Sequence, residues 1–411
     1  MKEFIFSLPT TVYFGPFNNN DQFKTVLKEH QIKRLVIVVG QGSVKKIGIL
    51  DQVTKILDEL KVKYLVLEGV RPNPTRQLAD NFVGQTKKFK PDYLLAIGGG
   101  SVMDTAKYIA VGYYHDGNTF DFNLHKKSPT KALPIVVILT ISASGSEMST
   151  SCVIQDDETK EKKGFNSPLI VPMFAFEDPR FTFGVSRYQT GCGIVDIMMH
   201  TLERYLRPSD TDYELADELA LGLLKTVYEA GKAVSKNPND EQARANLMLA
   251  SSFSHNGLTS IGKKAFMPVH QLGHALSGAY PEVAHGAGLS ILFLSWADYF
   301  IDPIKGKLAQ LGRTLFKIKV KNELKAAKQC LQHLKEFYQD IGMPVYFEDL
   351  KGTNVELNVL LETLFQDGRE SIDQGKLLIT KKSPKRSIKT PIKTKNSTKL
   401  GSIKSTSEFF C

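Results

Sequence analysis

The chain has 411 residues, of which 42% are hydrophobic and 23% are charged, and its formal net charge is +10. This length predicts two domains, and the composition excludes collagen-like, disulfide-stapled and largely disordered proteins. Most of the positive charge lies in residues 381–411, which contain nine Lys or Arg, one acid and ten Ser or Thr. We therefore expect a disordered basic tail rather than a basic globular surface, and no nucleic-acid partner.

Cysteine usage and the apolar segments predict the cellular compartment. The cysteines are Cys152, Cys192, Cys330 and Cys411. They form no Cys-x-x-Cys pair, which is typical of a protein in a reducing cytosol. The apolar part of residues 1–7 is too short for a signal peptide, and the longest apolar stretch, 133–139, is far below the roughly 20 residues of a membrane helix. The sequence thus predicts a cytoplasmic protein with no membrane partner.

Short apolar runs alternate with helical patterns in the first half of the chain. Strands are predicted at 34–39, 64–67, 93–97 and 135–139, with helices up to residue 60, over 75–89 and from 102 to about 111. Each apolar run is too hydrophobic to face water, so we expect an α/β fold in which helices cover both faces of a parallel sheet.

Beyond about residue 190 the pattern becomes helical and strand signals are weak. Residues 212–234 and 241–257 are examples of long helical periodicity. This part of the chain predicts an all-α domain. We expect domains at 1–188 and 189–380, followed by the tail.

Two glycine-rich turns follow predicted strands. Gly40-Gln41-Gly42-Ser43 lacks the third glycine of a G-x-G-x-x-G motif, whereas Gly98-Gly99-Gly100-Ser101 lies directly between a strand and a helix. Glycine lets the backbone approach a phosphate, and a helix N-terminus favours anions. The 98–101 turn is therefore the stronger candidate for phosphate binding, with Asp104 placed to bond a ribose or to cap the helix. Glycines after strands are also ordinary turn residues, and this alternative applies most to the 40–43 turn.

Five of the nine histidines lie between positions 200 and 285. Asp196 and His200 are four residues apart, as are His270 and His274, so each pair shares one face of a helix. His285 follows eleven residues after His274. One Asp and three His suit Zn²⁺ or Fe²⁺, but the spacing leaves open which three histidines bind. A single helical histidine is more often a structural side chain than a metal ligand. We therefore expect a structural role for His30, His115, His125, His255 and His333.

Together these motifs resemble the iron-containing (metal-dependent) alcohol dehydrogenase family, and within it the butanol-dehydrogenase-like, NADPH-dependent aldehyde reductases. The similar segments are 11–15, 42–46, 71–74, 98–101 with Asp104 and Lys107, 140–147, 162–179, 193–200 and 270–286. The resemblance spans roughly residues 5–345. It implies a Rossmann-like nucleotide-binding domain, an all-α metal-binding domain of the dehydroquinate synthase-like fold, an active site in the cleft between them, and a homodimer.

The resemblance also implies roles for individual residues. It assigns Asp196, His200, His270 and His285 to one divalent metal, Fe²⁺ or Zn²⁺, and leaves His274 as a catalytic residue beside the nicotinamide. The implied reaction is hydride transfer between NAD(P)H and an aldehyde or primary alcohol such as butanal or butanol. The residues implied to bind NADP (or NAD) are Gly40, Gly42, Ser43, Asn73, Gly99, Gly100, Ser101, Asp104, Thr140, Ile141, Ser144, Lys162 and Phe181.

The 40–43 turn further predicts which nucleotide is preferred. NAD enzymes commonly place an acid at the end of the strand that meets the adenosine ribose. No acid follows the strand that ends at Val39, and Ser43 and the amides at the helix start suit a phosphate. We therefore expect NADPH to be preferred over NADH.

Two functions other than that of a dehydrogenase are compatible with parts of this sequence. A dehydroquinate-synthase-like lyase would also bind NAD and a metal, but it needs several cations for its anionic substrate. Between residues 240 and 290 the cations are Arg244, Lys263 and Lys264 alone. The other alternative is a catalytically impaired nucleotide-binding relative.

Residues 381–411 do not resemble the helical segment with which the family's members end. This tail is expected to be either a disordered extension or the product of a shifted coding frame. The abrupt change of composition favours the frameshift.

Overall fold

A computed structural model of the chain describes residues 3–17, 21–207, 213–263, 267–372 and 379–380. The basic tail, with its predicted disorder or frameshift, lies outside these described residues. The strands are β1 (Thr11–Phe14), β2 (Arg34–Gly40), β3 (Lys63–Val70), β4 (Tyr93–Gly98), β5 (Ile135–Leu139), β6 (Ser151–Gln155), β7 (Lys162–Asn166), β8 (Phe174–Glu177), β9 (Ser371–Ile372) and β10 (Ile379–Thr380).

Helices follow the strands in the first half of the chain and dominate the second. They are α1 (Asp21–Glu29), α2 (Ser43–Lys46), α3 (Ile49–Glu59), α4 (Arg76–Phe89), α5 (Gly100–Gly112), α6 (Arg187–Leu206), α7 (Glu214–Lys236), α8 (Glu241–Ser254), α9 (Pro268–Ala279), α10 (His285–Tyr299), α11 (Ile301–Phe316), α12 (Glu323–Asp340) and α13 (Leu357–Leu364). None of these helices is both long and apolar enough to cross a membrane.

Six strands form one parallel sheet in the order β1-β8-β5-β4-β2-β3. The four strands predicted from apolar runs are all present, as β2 to β5. Strand β8 is missing from the sequence-based prediction because it has only four residues and lies between Pro172 and Pro179. The hairpin of β6 and β7 is also missing from that prediction.

Alternate residues of the central strands enter two different hydrophobic clusters. Val36 and Leu94 pack in one cluster with residues of α4 and α5. Ile37 and Leu95 pack in the other with residues of α1 and α3. Because successive side chains point to opposite faces, a strand covered on both faces must be apolar at nearly every position. The predicted parallel sheet with two covered faces is confirmed.

The chain divides into two compact units. The first, here called the sheet unit, is Ile5–Ile197 with Glu229–Leu258. The second, here called the helical unit, comprises the described residues of Met1–Phe4, Met198–Tyr228 and Thr259–Cys411. In the helical unit α11 and α12 form a hairpin, and Asn322 caps α12 by accepting from the amide of Lys325. The predicted helical character of the C-terminal region is confirmed, and the domain boundary at 188/189 stays a prediction.

Candidate functional site

In the sheet unit, the turns that follow β4 and β5 pack directly against each other. They bring together predicted nucleotide-binding residues, namely Gly99, Gly100, Thr140, Ile141 and Ser144. A Cβ atom on Gly99 would lie 2.2 Å from Cγ2 of Ile141, and one on Gly100 would lie 2.4 Å from Oγ of Ser144. Both positions therefore require glycine for space. The turns lie beyond the carboxyl ends of adjacent parallel strands, where open α/β sheets bind ligands.

Helix α5, which begins at Gly100, carries Asp104 and the buried Lys107, and both are hydrogen-bonded to Ser146. Asp104 accepts hydrogen bonds from Oγ of Ser146 at 2.8 Å and from the amide of Val153 at 3.0 Å. Lys107 donates to Oγ of Ser146 at 2.9 Å and to the carbonyl of Ser149 at 2.8 Å. Burial raises the pKa of Asp104, and the charge of Lys107 opposes that rise. The pair ties α5 to the segment after the second turn, a role for Lys107 that the sequence alone does not reveal.

The 40–43 turn connects β2 to the short helix α2. Gly42 has a φ of 139°, a conformation that favours glycine. Just after the turn, Nζ of Lys45 lies 2.7 Å from Oε2 of Glu68, a residue of β3, in an exposed ion pair. A carboxylate therefore lies within reach of this region, although none follows β2 along the chain. The sequence pattern around the turn does not reveal Glu68, because this residue belongs to the neighbouring strand.

Asn73 and Lys162 are 89 residues apart in sequence but are hydrogen-bonded. Nζ of Lys162 donates to Oδ1 of Asn73 at 2.9 Å. Burial lowers the pKa of Lys162 to about 8, against the opposing effect of the carboxylates of Asp196 and Asp104. Phe181 is partly buried against the hydrophobic cluster of α1 and α3. These predicted nucleotide-binding residues all belong to the sheet unit. Lys162 is hydrogen-bonded to Asn73 and also interacts electrostatically with Asp196.

In the helical unit, four histidine rings lie side by side. His200 lies on α6, His270 and His274 on α9, and His285 begins α10. The ring centroids of His200 and His270 are 4.5 Å apart, those of His270 and His285 are 5.5 Å apart, and those of His274 and His285 are 5.6 Å apart. A Cβ atom on Gly273 would lie 3.2 Å from Cε1 of His285, so this glycine lets the ring of His285 pack against α9.

A buried glutamate orients one of these rings. Glu203 is hydrogen-bonded through Oε2 to Nδ1 of His270, and through Oε1 to the amide of Val269 at 2.6 Å. A carboxylate at Nδ1 keeps the proton on that nitrogen, which leaves the lone pair on Nε2 of the ring. This is the arrangement of a metal-binding histidine. The sequence pattern alone does not assign this role to Glu203, although an acid three residues after His200 is a signal for it.

Asp196 precedes His200 by one turn of α6 and is buried, with 8% of its surface exposed. Within the helical unit, the described residues His270 and His285 lie close enough to offer one ligand atom each to a single ion. One carboxylate with neutral imidazoles is a donor set that fits Fe²⁺ or Zn²⁺. His200 is outside that group, but its ring stacks on His270.

Comparison with known proteins covers both halves of the chain. Residues 9–179 match the family pattern of iron-containing alcohol dehydrogenase, and residues 190–368 match the C-terminal pattern of the Fe-containing alcohol dehydrogenase family. The chain is 38% identical over 346 residues to NADH-dependent butanol dehydrogenase A of Clostridium acetobutylicum, covering 84% of this chain and 88% of that protein.

Two further relatives agree with these matches. The chain is 31% identical over 346 residues to the NADPH-dependent aldehyde reductase YqhD of Escherichia coli, covering 83% of this chain and 88% of that protein. The crystal structure of NADH-dependent butanol dehydrogenase A from Thermotoga maritima superposes with a TM-score of 0.85 at 31% identity, covering 89% of this chain and 91% of that chain. The likeness thus extends over both the strand-rich and the helical parts of the sequence.

Proposed function

The chain belongs to the iron-containing alcohol dehydrogenase family, and from that premise we propose that it transfers a hydride between a nicotinamide nucleotide and an aldehyde or primary alcohol, such as butanal or butanol. The observation that carries this proposal is the cluster of His200, His270 and His285, with the buried Glu203 hydrogen-bonded to the ring of His270. A carboxylate hydrogen-bonded to one ring nitrogen of an imidazole is the arrangement usually found behind a metal-bound histidine, and it fixes the orientation of the ring.

Four residues are proposed to hold the metal: Asp196, His200, His270 and His285. One carboxylate and three neutral imidazoles around a divalent cation leave a net charge of about +1, which favours an alkoxide over a neutral carbonyl oxygen. When bound, the cation supplies Lewis-acid polarisation of the substrate's oxygen. This donor set accepts both Fe²⁺ and Zn²⁺.

His274 is proposed to move the proton. Its ring stacks on that of His285 with an angle of 28° between the ring planes. His274 lies on the side of α9 that also carries His270. Imidazole is the side chain that most commonly acts as a general acid or base near neutral pH. We propose that a ring nitrogen of His274 exchanges the proton that the alcohol oxygen gains or loses as the hydride moves.

The nucleotide is proposed to bind at the two glycine-rich turns of the sheet unit. The amides of Gly99, Gly100 and Ser101, at the start of the 13-residue helix α5, suit a pyrophosphate. At the 40–43 turn, the amides of Gly42 and Ser43 suit an additional phosphate, and this supports the predicted preference for NADPH. The Glu68 carboxylate neutralises Lys45, so that lysine adds little to the preference.

An assay with butanal tests the proposed reaction. Protein loaded without oxygen with Fe²⁺ or Zn²⁺ is expected to oxidise NADPH and NADH in the presence of butanal, and His270→Ala is expected to lose this activity. His333→Ala, a variant of an exposed histidine on α12, is the matched control. If the protein binds the nucleotide but shows no turnover with either metal, the proposal is wrong and the chain is a catalytically impaired nucleotide-binding relative.

The cytosolic location and the homodimer are further parts of the proposal. The absence of Cys-x-x-Cys pairs supports the cytosolic location, and the family resemblance supports the homodimer. Light scattering on the purified protein measures the oligomeric state directly.

A further inference from the structure

Ser252, on α8 of the sheet unit, lies between two buried glutamates. Its Oγ atom is 2.7 Å from Oε1 of Glu147 and 2.9 Å from Oε1 of Glu177. Glu147 follows β5 in a short 3-10 helix, and Glu177 is the last residue of β8. The exposed fractions of Glu147 and Glu177 are 0% and 1%. None of the proposed catalytic steps uses these two carboxyl groups.

The hydrogen bonds around Ser252 require one of these carboxyl groups to carry a proton. A serine hydroxyl donates a single hydrogen, and an ionised carboxylate donates none. Both short contacts from Ser252 can therefore be hydrogen bonds only when one glutamate is protonated and donates to the serine oxygen. The Oε2 atoms of Glu147 and Glu177 have no hydrogen-bond partner within the described residues, so a second negative charge here would gain no further hydrogen bond.

The surrounding groups assign the proton to Glu177. Burial raises the pKa of Glu147 as well, but the charge of Lys107 and the hydrogen bonds from Ser252 and from Oγ of Ser251, at 3.5 Å, oppose that rise, so Glu147 is the better place for the negative charge. Burial, followed by the charge of Glu147, raises the pKa of Glu177 to about 8. Within the described residues, the cation that acts on Glu147 is Lys107, whose ammonium group also interacts with Asp104.

Ser251 connects the glutamates to the turn after β5. Its Oγ atom accepts from the amides of Ala143 at 3.0 Å and Gly145 at 3.3 Å. The hydrogen of Ser251 is donated to Oε1 of Glu147 at 3.5 Å. Gly145 has a φ of 63°, and a Cβ atom there would lie 2.5 Å from the carbonyl oxygen of Ser251. The turn therefore rests on the end of α8, and its position depends on Ser251.

We propose that Glu177, Ser252, Glu147 and Ser251 form one hydrogen-bonded chain, with Glu177 protonated, which positions the 140–145 turn for the nucleotide. Glu177 donates to Ser252, Ser252 and Ser251 donate to Glu147, and the turn amides donate to Ser251. These are positioning residues, since they act through Ile141 and Ser144. The part that concerns the nucleotide rests on the proposed function, whereas the protonation of Glu177 does not.

Loss of the proton from Glu177 is expected to weaken the hydrogen-bonded chain. The ionised group would face the charge of Glu147 across the single hydrogen of Ser252, and one short contact would become repulsive. Lys107 compensates one of the two charges, and its ammonium group is already shared with Asp104. The chain is therefore expected to loosen, and the turn with it, as the pH rises through about 8.

Two measurements test the chain on the full-length protein. Infrared spectroscopy is expected to detect the carbonyl stretch of a protonated carboxyl group, which disappears as the pH rises through about 8 and is absent from Glu177→Gln. Fluorescence titration is expected to give a Kd for NADPH that rises about tenfold over the same range in the wild type and stays flat in Glu177→Gln, because its amide always donates to Ser252. Glu218→Gln, on the exposed side of α7, is the control and should titrate like the wild type.

A third variant separates positioning from general stability. Ser252→Ala is expected to raise the KM for the nucleotide about tenfold at every pH with kcat at saturation retained, whereas a purely structural role would lower the melting temperature and leave KM in place. A wild type without the carboxyl band at neutral pH, or a band retained in Glu177→Gln, would overturn the protonation. If Glu177→Gln does not fold, the wild-type infrared titration still decides. Absence of any nucleotide binding would reject the proposed function and leave the infrared result standing.

Discussion

The buried carboxylate of Glu203 is hydrogen-bonded to Nδ1 of His270, across 67 positions of sequence. The same carboxylate accepts from the amide of Val269, so it holds both the ring and the first turn of α9. His270 is thereby fixed with Nε2 turned away from Glu203. An ion bound at His270 would depend on Glu203 without touching it.

Glu203→Gln is expected to weaken metal binding by about 10- to 100-fold, since a carboxylate behind a metal-bound imidazole contributes that much. Competition with a chelator measures the affinity, and Glu218→Gln in the same unit is the control. An unchanged affinity would limit Glu203 to a structural role.

His200→Ala is expected to abolish metal binding and turnover while the sheet unit stays folded. The reason is its position one turn after Asp196 on α6 and its stacking on His270. Metal analysis gives the stoichiometry, and circular dichroism checks the fold. Retention of one ion per chain would remove His200 from the ligand set.

Gly99→Ala is expected to destabilise the sheet unit by about 1–3 kcal/mol and to abolish nucleotide binding, because the new methyl group overlaps the side chain of Ile141. Combining it with Ile141→Ala should restore much of the stability, as the atom that clashes is gone. Gly84→Ala, the same substitution in α4 with open space around it, should instead stabilise by about 0.5–1 kcal/mol. Equal effects of the two alanines in urea unfolding would contradict the steric argument.

NADPH is expected to be used with a higher kcat/KM than NADH. Gln41→Asp introduces a carboxylate at the turn after β2, which repels the additional phosphate, and should shift the ratio towards NADH by about tenfold, or 1.4 kcal/mol. The test compares both nucleotides with one aldehyde. If the unaltered protein prefers NADH, the interpretation of the 40–43 turn is wrong.

The stability of the chain should depend on the proton of Glu177. Its pKa is raised from 4.5 to about 8 on folding, so between these values the folded state binds more protons than the unfolded state. The free energy of unfolding should therefore fall as the pH rises from 4.5 to about 8, relative to Glu177→Gln. Parallel pH profiles of the wild type and the variant would show that Glu177 has the same pKa in both states.

Local patterns predicted much of the fold and part of the site. The central strands β2, β4 and β5 were identifiable because a strand buried on both faces must be apolar throughout. The 98–101 turn and the four-residue spacings of Asp196, His200, His270 and His274 were identifiable because helix and strand periodicity is a property of neighbouring residues. The family resemblance depended on the same local motifs.

The sequence by itself determined which segments form the buried strands and helices and which histidines are candidates for a metal, since both follow from periodicity over a few residues. Only the tertiary structure decided that Glu203 supports His270, that Glu68 faces Lys45, and that Ser252 joins Glu147 to Glu177. The glutamates of this last group lie 105 and 75 positions from Ser252 in the chain. Contacts of this kind form when elements pack together and exclude water, so the pattern along one segment does not identify its partner in another.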